Sequence, residues 1–264
     1  MHFHRMREFV LVTGASAGIG EALALEFARE GNNVMLVARN QKKLAAVATT
    51  IKEQTGVEVE TVAVDLSKPQ AAKKIALAIK KKKVFINTLV NNAGFGLHGQ
   101  FINSELKDEL NMVDLNVKSV VELSKLVLEQ MRIENRGKIL NVASTGAFQP
   151  GPMMSIYYAS KAFVLSFSEA LSTELQGTGI AVCCLCPGPV STPFHERAGS
   201  DEAGLSSGTF LPVLSAEKVA RYAVKKLKKN KRVMVPGSVN KILVQSLRFS
   251  PRWLVNKIAL KIIG

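Results

Sequence analysis

The chain has 264 residues, of which 47% are hydrophobic and 21% are charged. This composition supplies enough apolar side chains for a core and excludes a disordered protein, and the length suits one large α/β domain. No apolar run reaches the roughly 18 residues that a membrane-spanning helix needs. The first residues pass from a short basic stretch directly into a strand-like segment. We therefore expect neither a spanning helix nor a cleavable signal, and a cytoplasmic location.

The net charge of +14 is concentrated towards the carboxyl-terminal end. Residues 215–264 hold thirteen Lys or Arg side chains and one acid, Glu217. A protein that reads nucleic acid also carries a recognition motif or aromatic residues for stacking, and the sequence shows neither. We therefore expect no nucleic-acid partner.

Strands and helices alternate along nearly the whole chain. Runs rich in Val, Ile and Leu predict strands at residues 9–13, 33–39, 57–65, 85–91, 138–142, 180–185 and 232–235. Helices are predicted at residues 19–30 and 41–54, from Pro69 through the lysines at 80–83, and at residues 106–133, 155–176 and 216–229. Each helix must return the chain in the same direction. The predicted fold class is therefore α/β, a single Rossmann-like doubly wound parallel sheet of about seven strands with helices on both faces.

A glycine-rich loop links the first predicted strand to the first predicted helix. Its sequence is Thr13-Gly14-Ala15-Ser16-Ala17-Gly18-Ile19-Gly20. Glycines allow a tight turn and a close backbone approach to a pyrophosphate, whose negative charge is favoured at a helix N-terminus. The order of strand, loop and helix predicts a dinucleotide site with contacts from Gly14, Ser16, Gly18, Ile19 and Gly20.

The end of the second predicted strand indicates which dinucleotide is bound. An acid at this position binds the ribose 2′-hydroxyl of NAD. The residue here is Arg39, and a guanidinium pairs well with the 2′-phosphate of NADP. We therefore expect NADP and regard NAD as the weaker candidate, the alternative being that Arg39 simply faces solvent. Ser16 can also reach the phosphate, and Asp65 is placed to contact adenine.

Tyr157 and Lys161 lie four residues apart in the helix predicted at 155–176, and so share one face of it. An ammonium beside a phenol favours the phenolate and lowers the tyrosine pKa from its usual value of about 10. Tyr157 can then exchange a proton while hydride moves to or from a nicotinamide. Ser144 follows the strand at 138–142, and its hydroxyl can hydrogen-bond a carbonyl or a developing alkoxide.

Together these motifs resemble the short-chain dehydrogenase/reductase family in its shorter, single-domain form. The resemblance covers about residues 8–237 and rests on the glycine loop followed in order by Asn91-Asn92-Ala93-Gly94, Asn116, Ser144, Tyr157, Lys161, Pro187-Gly188 and Thr192. It implies an oxidoreductase that moves hydride between a nicotinamide and a small-molecule carbonyl compound or secondary alcohol, in a homodimer or homotetramer, and Arg39 makes NADP the expected cofactor. A non-catalytic NADP-binding regulator is the alternative from another class. A nucleotide-sugar epimerase on a related fold normally needs a larger carboxyl-terminal substrate region, so the length of the chain argues against that function.

The resemblance also implies a role for each catalytic position. Ser144 polarises the substrate carbonyl, and Tyr157 is the acid in reduction and the base in oxidation. Lys161 lowers the pKa of Tyr157 and binds the nicotinamide ribose. Asn116 holds a water that extends the proton path from Lys161. The adjacent Tyr158 lacks the spacing to Lys161.

The cofactor positions follow in the same way from the resemblance. Asn92 supports the central strands and, with Ala93 and Gly94, borders the cofactor. Pro187 and Gly188 turn the chain towards the nicotinamide, whose carboxamide meets Val190 and Thr192. Family members that prefer NADP often carry a basic residue where Ala17 stands, so the preference depends on Arg39.

Three side chains after Ser144 bear on the substrate. The resemblance places Phe148, Met153 and Met154 along an apolar pocket, which favours a hydrophobic carbonyl compound; ordinary core packing is the alternative. A mobile lid over the substrate is expected at about residues 191–214, within a dinucleotide-binding domain of residues 1–237. The cysteines at 183, 184 and 186 suit neither a disulfide nor a zinc site, so we expect buried free thiols and no metal.

Residues 238–264 form a basic, apolar tail that contains Trp253. Lys241, Gln245 and Arg248 share one helical face, and Pro251 should break the helix there. The favoured interpretation is that this amphipathic tail packs on its own subunit or on a neighbour. The alternative is peripheral contact with a membrane surface.

Overall fold

A parallel sheet of seven strands forms the centre of this computed structural model, which describes residues 6–194 and 212–263. The strands of the sheet are β1 Arg7–Thr13, β2 Asn33–Ala38, β3 Val59–Ala63, β4 Val84–Asn91, β5 Gly137–Val142, β6 Ile180–Leu185 and β9 Val233–Met234. Their order across the sheet is β3-β2-β1-β4-β5-β6-β9, and every neighbouring pair is parallel. Two short strands, β7 Val190–Ser191 and β8 Leu214–Ser215, pair separately.

Helices connect the strands and continue into the tail. Their bounds are α1 Gly18–Arg29, α2 Gln41–Thr55, α3 Ala71–Lys82, α4 Leu106–Val113, α5 Ser119–Glu134, α6 Ser155–Glu174, α7 Ala216–Leu227, α8 Ser238–Ser246 and α9 Arg252–Ile263. Asn40 begins α2 by accepting a hydrogen bond from the backbone N–H of Lys43, and Gly56 ends it in the left-handed conformation that favours glycine.

Apolar helix faces cover both sides of the sheet. Leu23 of α1, Leu44 of α2 and Val219 of α7 belong to the core on one side. Ile75 of α3 and Leu123 of α5 belong to the core on the other side. From β1 the chain builds outwards to β3, then returns to place β4 on the opposite side of β1. Such a reversal opens a crevice at the carboxyl ends of the central strands, where ligands of this architecture bind.

The predicted α/β class and the doubly wound parallel sheet are confirmed. The helix predicted at 106–133 is instead divided into α4 and α5 by a π-helical turn, Asp114–Lys118. Residues 195–211 lie outside the described part of the chain, so most of the expected lid at 191–214 stays a prediction. Among the described residues, no helix combines the length and the apolar character needed to cross a membrane.

The tail folds back against the body of its own chain. Val244 of α8 and Val255 and Ala259 of α9 are buried, and the two helices are separated just before Pro251. The favoured interpretation of the tail is therefore confirmed for its inward-facing side. The predicted free thiols are also confirmed, since all three cysteines are buried and unbridged.

Candidate active site

A cleft of about 480 Å³ runs along the carboxyl ends of the central strands. It brings together most of the residues predicted for the dinucleotide and the reaction. From the predicted set, the cleft is lined by Gly14, Ser16, Gly18, Ile19, Arg39, Asp65, Asn92, Ala93, Gly94, Ser144, Tyr157, Lys161, Pro187, Gly188, Val190 and Thr192. Asn116 and Gly20 are the exceptions, and both lie behind the lining.

The glycine loop has the geometry of an anion cradle. Gly14 and Gly18 have φ values of 65° and 59°, a region that favours glycine. Ala17 precedes α1 and makes no side-chain capping bond, so the first-turn N–H groups are available to a pyrophosphate. A Cβ atom on Gly18 would lie 3.1 Å from the side chain of Thr192, across the cleft. These residues fit a dinucleotide.

Gly20 is needed for packing under the loop rather than for lining the cleft. A Cβ atom there would lie 2.3 Å from the carbonyl oxygen of Gly14 and 2.4 Å from Nδ2 of Asn92. Asn92 in turn donates from Nδ2 to the carbonyl oxygen of Thr13 at 2.9 Å. Oγ1 of Thr13 accepts from the backbone N–H groups of Asn92 and Ala93. This network, in which Thr13 was missed by sequence reasoning, fixes the end of β1 to the end of β4.

Two cations stand at the end of the cleft next to β2. Arg39 is exposed, and Lys43 of α2, which the sequence reasoning missed, lines the cleft with it. The feature that could have identified Lys43 from the sequence is its position as a second basic residue shortly after Arg39. Asp65 faces the same end, where its Oδ1 accepts from the backbone N–H and the hydroxyl of Ser67, at 3.0 and 2.8 Å. The pair of cations fits an additional phosphate.

Tyr157 and Lys161 approach each other on α6, as their spacing requires. Lys161 is buried, its Nζ donates to the carbonyl oxygen of Val142 at 2.9 Å, and Nζ lies 5.7 Å from the centre of the Tyr157 ring. Ser144 lies just beyond the end of β5, and its Oγ accepts from the backbone N–H of Gly146 at 3.0 Å. The ring of Tyr158 packs edge-on against Tyr157, with 5.8 Å between centroids.

Asn116 lies in the π-helical turn and ties two segments together. Its Oδ1 accepts from the backbone N–H of Phe95 at 3.1 Å, and its Nδ2 donates to the Phe95 carbonyl at 2.9 Å and to Oγ of Ser160 at 3.1 Å. A Cβ atom on Gly94 would lie 3.0 Å from Oδ1 of Asn116 and 3.5 Å from Nζ of Lys161. Asn116 therefore lies near Lys161 and holds the backbone of Phe95 beside the cleft.

Residues 8–203 match the family model described as short chain dehydrogenase. The chain belongs to the short-chain dehydrogenase family of oxidoreductases. It is similar to 17-beta-hydroxysteroid dehydrogenase type 3 of Mus musculus, with 37% identity over 191 residues that cover 72% of this chain and 62% of that protein. It is also similar to the very-long-chain 3-oxoacyl-CoA reductase of Mus musculus, with 34% identity over 264 residues that cover 96% of this chain and 79% of the relative.

The fold of this short-chain dehydrogenase resembles a solved member of the family. That structure is a short-chain dehydrogenase from Sphingobium yanoikuyae in complex with NADPH. The TM-score is 0.81 and the sequence identity is 30%, and the match covers 93% of this chain and 96% of the other. The chain spans less than two thirds of the mouse steroid dehydrogenase, so the match applies to the shared segment.

Burial dominates the proton equilibria in the cleft of this short-chain dehydrogenase. It raises the pKa of the Tyr157 phenol above its ordinary value, and the hydrogen bond with Ser144 opposes this in part. Burial also raises the pKa of Tyr158 to about 12 and lowers the pKa of the Lys161 ammonium to about 8. The expectation that Lys161 lowers the pKa of Tyr157 stays a prediction, and burial of the phenol acts in the opposite direction. Tyr157 is protonated at neutral pH.

The end of the cleft beside Tyr157, which we call the substrate end, is apolar and is partly built by the tail. Met154 lines it and packs in one cluster with Ala259 of α9 and with Tyr157 and Phe194. Ile258 also lines it. Sequence reasoning missed both α9 residues because nothing local to the tail indicates which distant surface it covers.

Phe148 lines a neighbouring cavity that shares Tyr158 with the cleft, so the expectation that it lines the substrate pocket stays a prediction. Phe148 packs against a separate buried cluster that includes Val244, and it does not border the cleft. It ends the 3-10 turn Thr145–Phe148, which carries its side chain towards the tail helices. Met153 packs beside Met154 without lining the cleft, so Met154 is the one of the three that does.

Helix α8 supports the Pro187–Gly188 turn, which lines the cleft. Asn240 is buried, and its Nδ2 donates to the carbonyl oxygen of Pro236 at 2.9 Å. A Cβ atom on Gly188 would lie 2.6 Å from Nδ2 of Asn240. The glycine therefore allows the Pro187–Gly188 turn to rest directly on the tail, a contact that sequence reasoning missed.

Proposed function

We propose that the protein is an NADP-dependent carbonyl reductase that moves hydride between the nicotinamide and a hydrophobic ketone or its secondary alcohol. The observation that carries the proposal is the meeting of Ser144, Tyr157 and Lys161 in the same cleft as the glycine loop. A regulator that only binds the dinucleotide would not need this set. The rival of a non-catalytic protein is therefore the weaker interpretation.

The nicotinamide supplies or accepts the hydride when it is bound. In reduction, the hydroxyl of Ser144 donates a hydrogen bond to the substrate carbonyl, and Tyr157 gives its proton to the same oxygen as negative charge develops. The raised pKa of Tyr157 keeps the phenol protonated for this step. Lys161 places a positive charge next to the phenolate that remains. Met154 and Phe194 narrow the water-accessible space around the reacting carbon.

Arg39 and Lys43 support the choice of NADP. A 2′-phosphate carries two negative charges, and a guanidinium and an ammonium at one end of the cleft complement them. Replacement by Arg39→Asp should raise KM for NADPH by about 10- to 100-fold and improve the use of NADH, because the acid can accept from a ribose hydroxyl. Steady-state kinetics with both cofactors measure this, with exposed Arg132→Asp on α5 as the matched control. An unchanged ratio of NADPH to NADH efficiency would sink the proposed preference.

The apolar substrate end supports a bulky hydrophobic ketone. Relatives of this chain carry the names of a hydroxysteroid dehydrogenase and a 3-oxoacyl-CoA reductase, both of which imply a keto group on a large apolar body. A panel of steroid ketones, 3-oxoacyl thioesters and short ketones, assayed by NADPH consumption, tests the proposal. We expect turnover of at least one large ketone with kcat/KM well above that of acetone. No turnover of any carbonyl with either cofactor would refute the enzyme assignment.

We also propose that the protein forms homo-oligomers through its long helices. The support is the exposure of large apolar side chains on α4 and α5, among them Leu106, Leu110 and Val121, and on α6, which contacts α4. The substitution Leu110→Glu should shift the sedimenting species towards the monomer in analytical ultracentrifugation.

The free buried thiols further support a reducing compartment such as the cytoplasm.

A further inference from the structure

The outward side of the tail exposes large apolar side chains beside cations. We call this the tail surface. Its apolar members are Ile242, Phe249, Trp253 and Leu260, which are 69%, 88%, 68% and 52% exposed. Its basic members are the exposed Lys241, Arg248, Arg252, Lys257 and Lys261. So many large apolar side chains exposed to water are typical of a surface that contacts another molecule.

Helix α9 shows how the two sides of the tail differ. Val255 and Ala259 are buried against the body of the chain. Trp253, Lys257 and Leu260 lie about 140° to 200° around the helix axis from Val255. The inner side of the helix is therefore buried, while its outer side exposes the side chains of Trp253, Lys257 and Leu260 to solvent.

The charge around the tail surface has one sign. Residues 218–264 contain no Asp or Glu, and all five ionisable side chains of residues 238–264 are basic. A symmetric contact between two copies would place these cations against each other, which is repulsive. An anionic partner with an apolar interior complements both the cations and the exposed rings.

We propose that the tail surface binds an anionic lipid surface. Tryptophan and phenylalanine favour the boundary between headgroups and acyl chains, and each Lys or Arg near a negatively charged leaflet adds attraction. Helix α9 lies in the interfacial plane, with Val255 and Ala259 towards the protein and Trp253 towards the lipid. This binding does not depend on the proposed reductase activity.

The position of α9 gives this binding a consequence for the cleft. The buried Ala259 and the half-exposed Ile258 of the same helix line its substrate end. A lipid surface held by Trp253 therefore lies one helix diameter, about 10 Å, from the apolar end of the cleft. A hydrophobic substrate dissolved in the bilayer has a short path to that end.

Trp253 is the only tryptophan of the chain, so tryptophan emission, excited at a wavelength that the three tyrosines do not absorb, reports on the tail surface alone. The full-length protein, without cofactor, is mixed with vesicles of phosphatidylcholine containing phosphatidylglycerol, and separately with vesicles of phosphatidylcholine alone. We expect a blue shift of the emission and co-sedimentation with the anionic vesicles, both weakened in high salt. Emission that anionic vesicles leave unchanged would overturn the proposal. So would emission already blue-shifted without vesicles, since another copy of the chain would then cover Trp253.

A charge reversal that keeps the tryptophan provides the matched comparison. The double variant Lys257→Glu/Lys261→Glu should bind the anionic vesicles at least about tenfold more weakly than the unaltered protein. The control is Lys80→Glu/Lys81→Glu, which makes the same change of charge at exposed positions of α3. Circular dichroism melting of both variants verifies that they fold. Equal loss of binding in the two variants would show attraction by net charge alone and would overturn the proposed surface.

Discussion

Burial from water determines the pKa values of the tyrosine and lysine side chains in the cleft. Tyr157 and Lys161 were predicted from a spacing of four residues, and the structure brings them together. Their pKa values could not be read from that spacing, because burial depends on strands and helices far away in the sequence. The structure thus assigns the two residues opposite shifts, upward for Tyr157 and downward for Lys161. A protonated tyrosine at neutral pH suits carbonyl reduction.

The lowered pKa of Lys161 predicts a trade-off between stability and activity. Its pKa falls from 10.5 to about 8 on folding, so between these values the unfolded chain binds more protons and stability from this group rises with pH. Below pH 8 the folded protein must bury the charge. Lys161→Met should therefore raise the free energy of unfolding at pH 7 by about 1–3 kcal/mol while abolishing turnover.

Urea denaturation across pH 7 to 10 measures this difference. The gain of the Lys161→Met protein over the unaltered protein should shrink as pH rises through about 8, where the buried ammonium loses its proton. The exposed Lys81→Met serves as the control and should change stability little. A difference in stability between the two proteins that stays constant from pH 7 to 10 would contradict the assigned shift.

At the scale of elements, the strands were the most predictable part. Apart from β3, the strands from β1 to β6 are apolar runs bounded by turns, so their positions follow from the sequence. The strand β3 contains Glu60 and Thr61 and is shorter than the predicted 57–65. The π-helical turn at Asp114–Lys118 was missed because the apolar spacing of α4 and α5 continues through it. That turn aims Asn116 at Phe95, which residue spacing alone does not show.

The contact between α8 and the Pro187–Gly188 turn predicts an effect of the tail on cofactor binding. Asn240→Ala removes the bond to the Pro236 carbonyl and opens space beside Gly188. It should lower the free energy of unfolding by about 1–3 kcal/mol and raise KM for the dinucleotide more than it lowers kcat. Thermal melting and steady-state kinetics measure both effects. Asn256→Ala, at an exposed position of α9, should leave both unchanged, and an equal loss in the two variants would contradict the assigned support.

At the scale of the whole molecule, the tail joins the substrate end of the cleft to the outer surface. Its composition predicted an amphipathic segment with a break at Pro251, and the structure agrees. Where the tail lies was not predictable, because its contacts with Met154 and Phe148 join residues about a hundred positions apart. The cofactor half of the cleft was predictable, since its motifs are local to strand ends.

Ala259 tests whether α9 shapes the choice of substrate. Ala259→Phe adds a ring where the helix meets Met154, so the substrate end becomes smaller. KM for a bulky ketone should rise about tenfold or more, while KM for NADPH stays the same. Leu260→Phe, the next residue and exposed, is the control. The same KM for large and small ketones in Ala259→Phe and the unaltered protein would argue against this role.

Proton transfer by Tyr157 can be tested with two tyrosine variants. NADPH consumption with an accepted ketone is measured for Tyr157→Phe and for Tyr158→Phe, which removes the neighbouring hydroxyl. Loss of the general acid should lower kcat by about 10²- to 10⁴-fold in Tyr157→Phe, with the dissociation constant of NADPH unchanged, and leave Tyr158→Phe within a few-fold. A Tyr157→Phe protein that keeps the kcat of the unaltered protein would contradict the account.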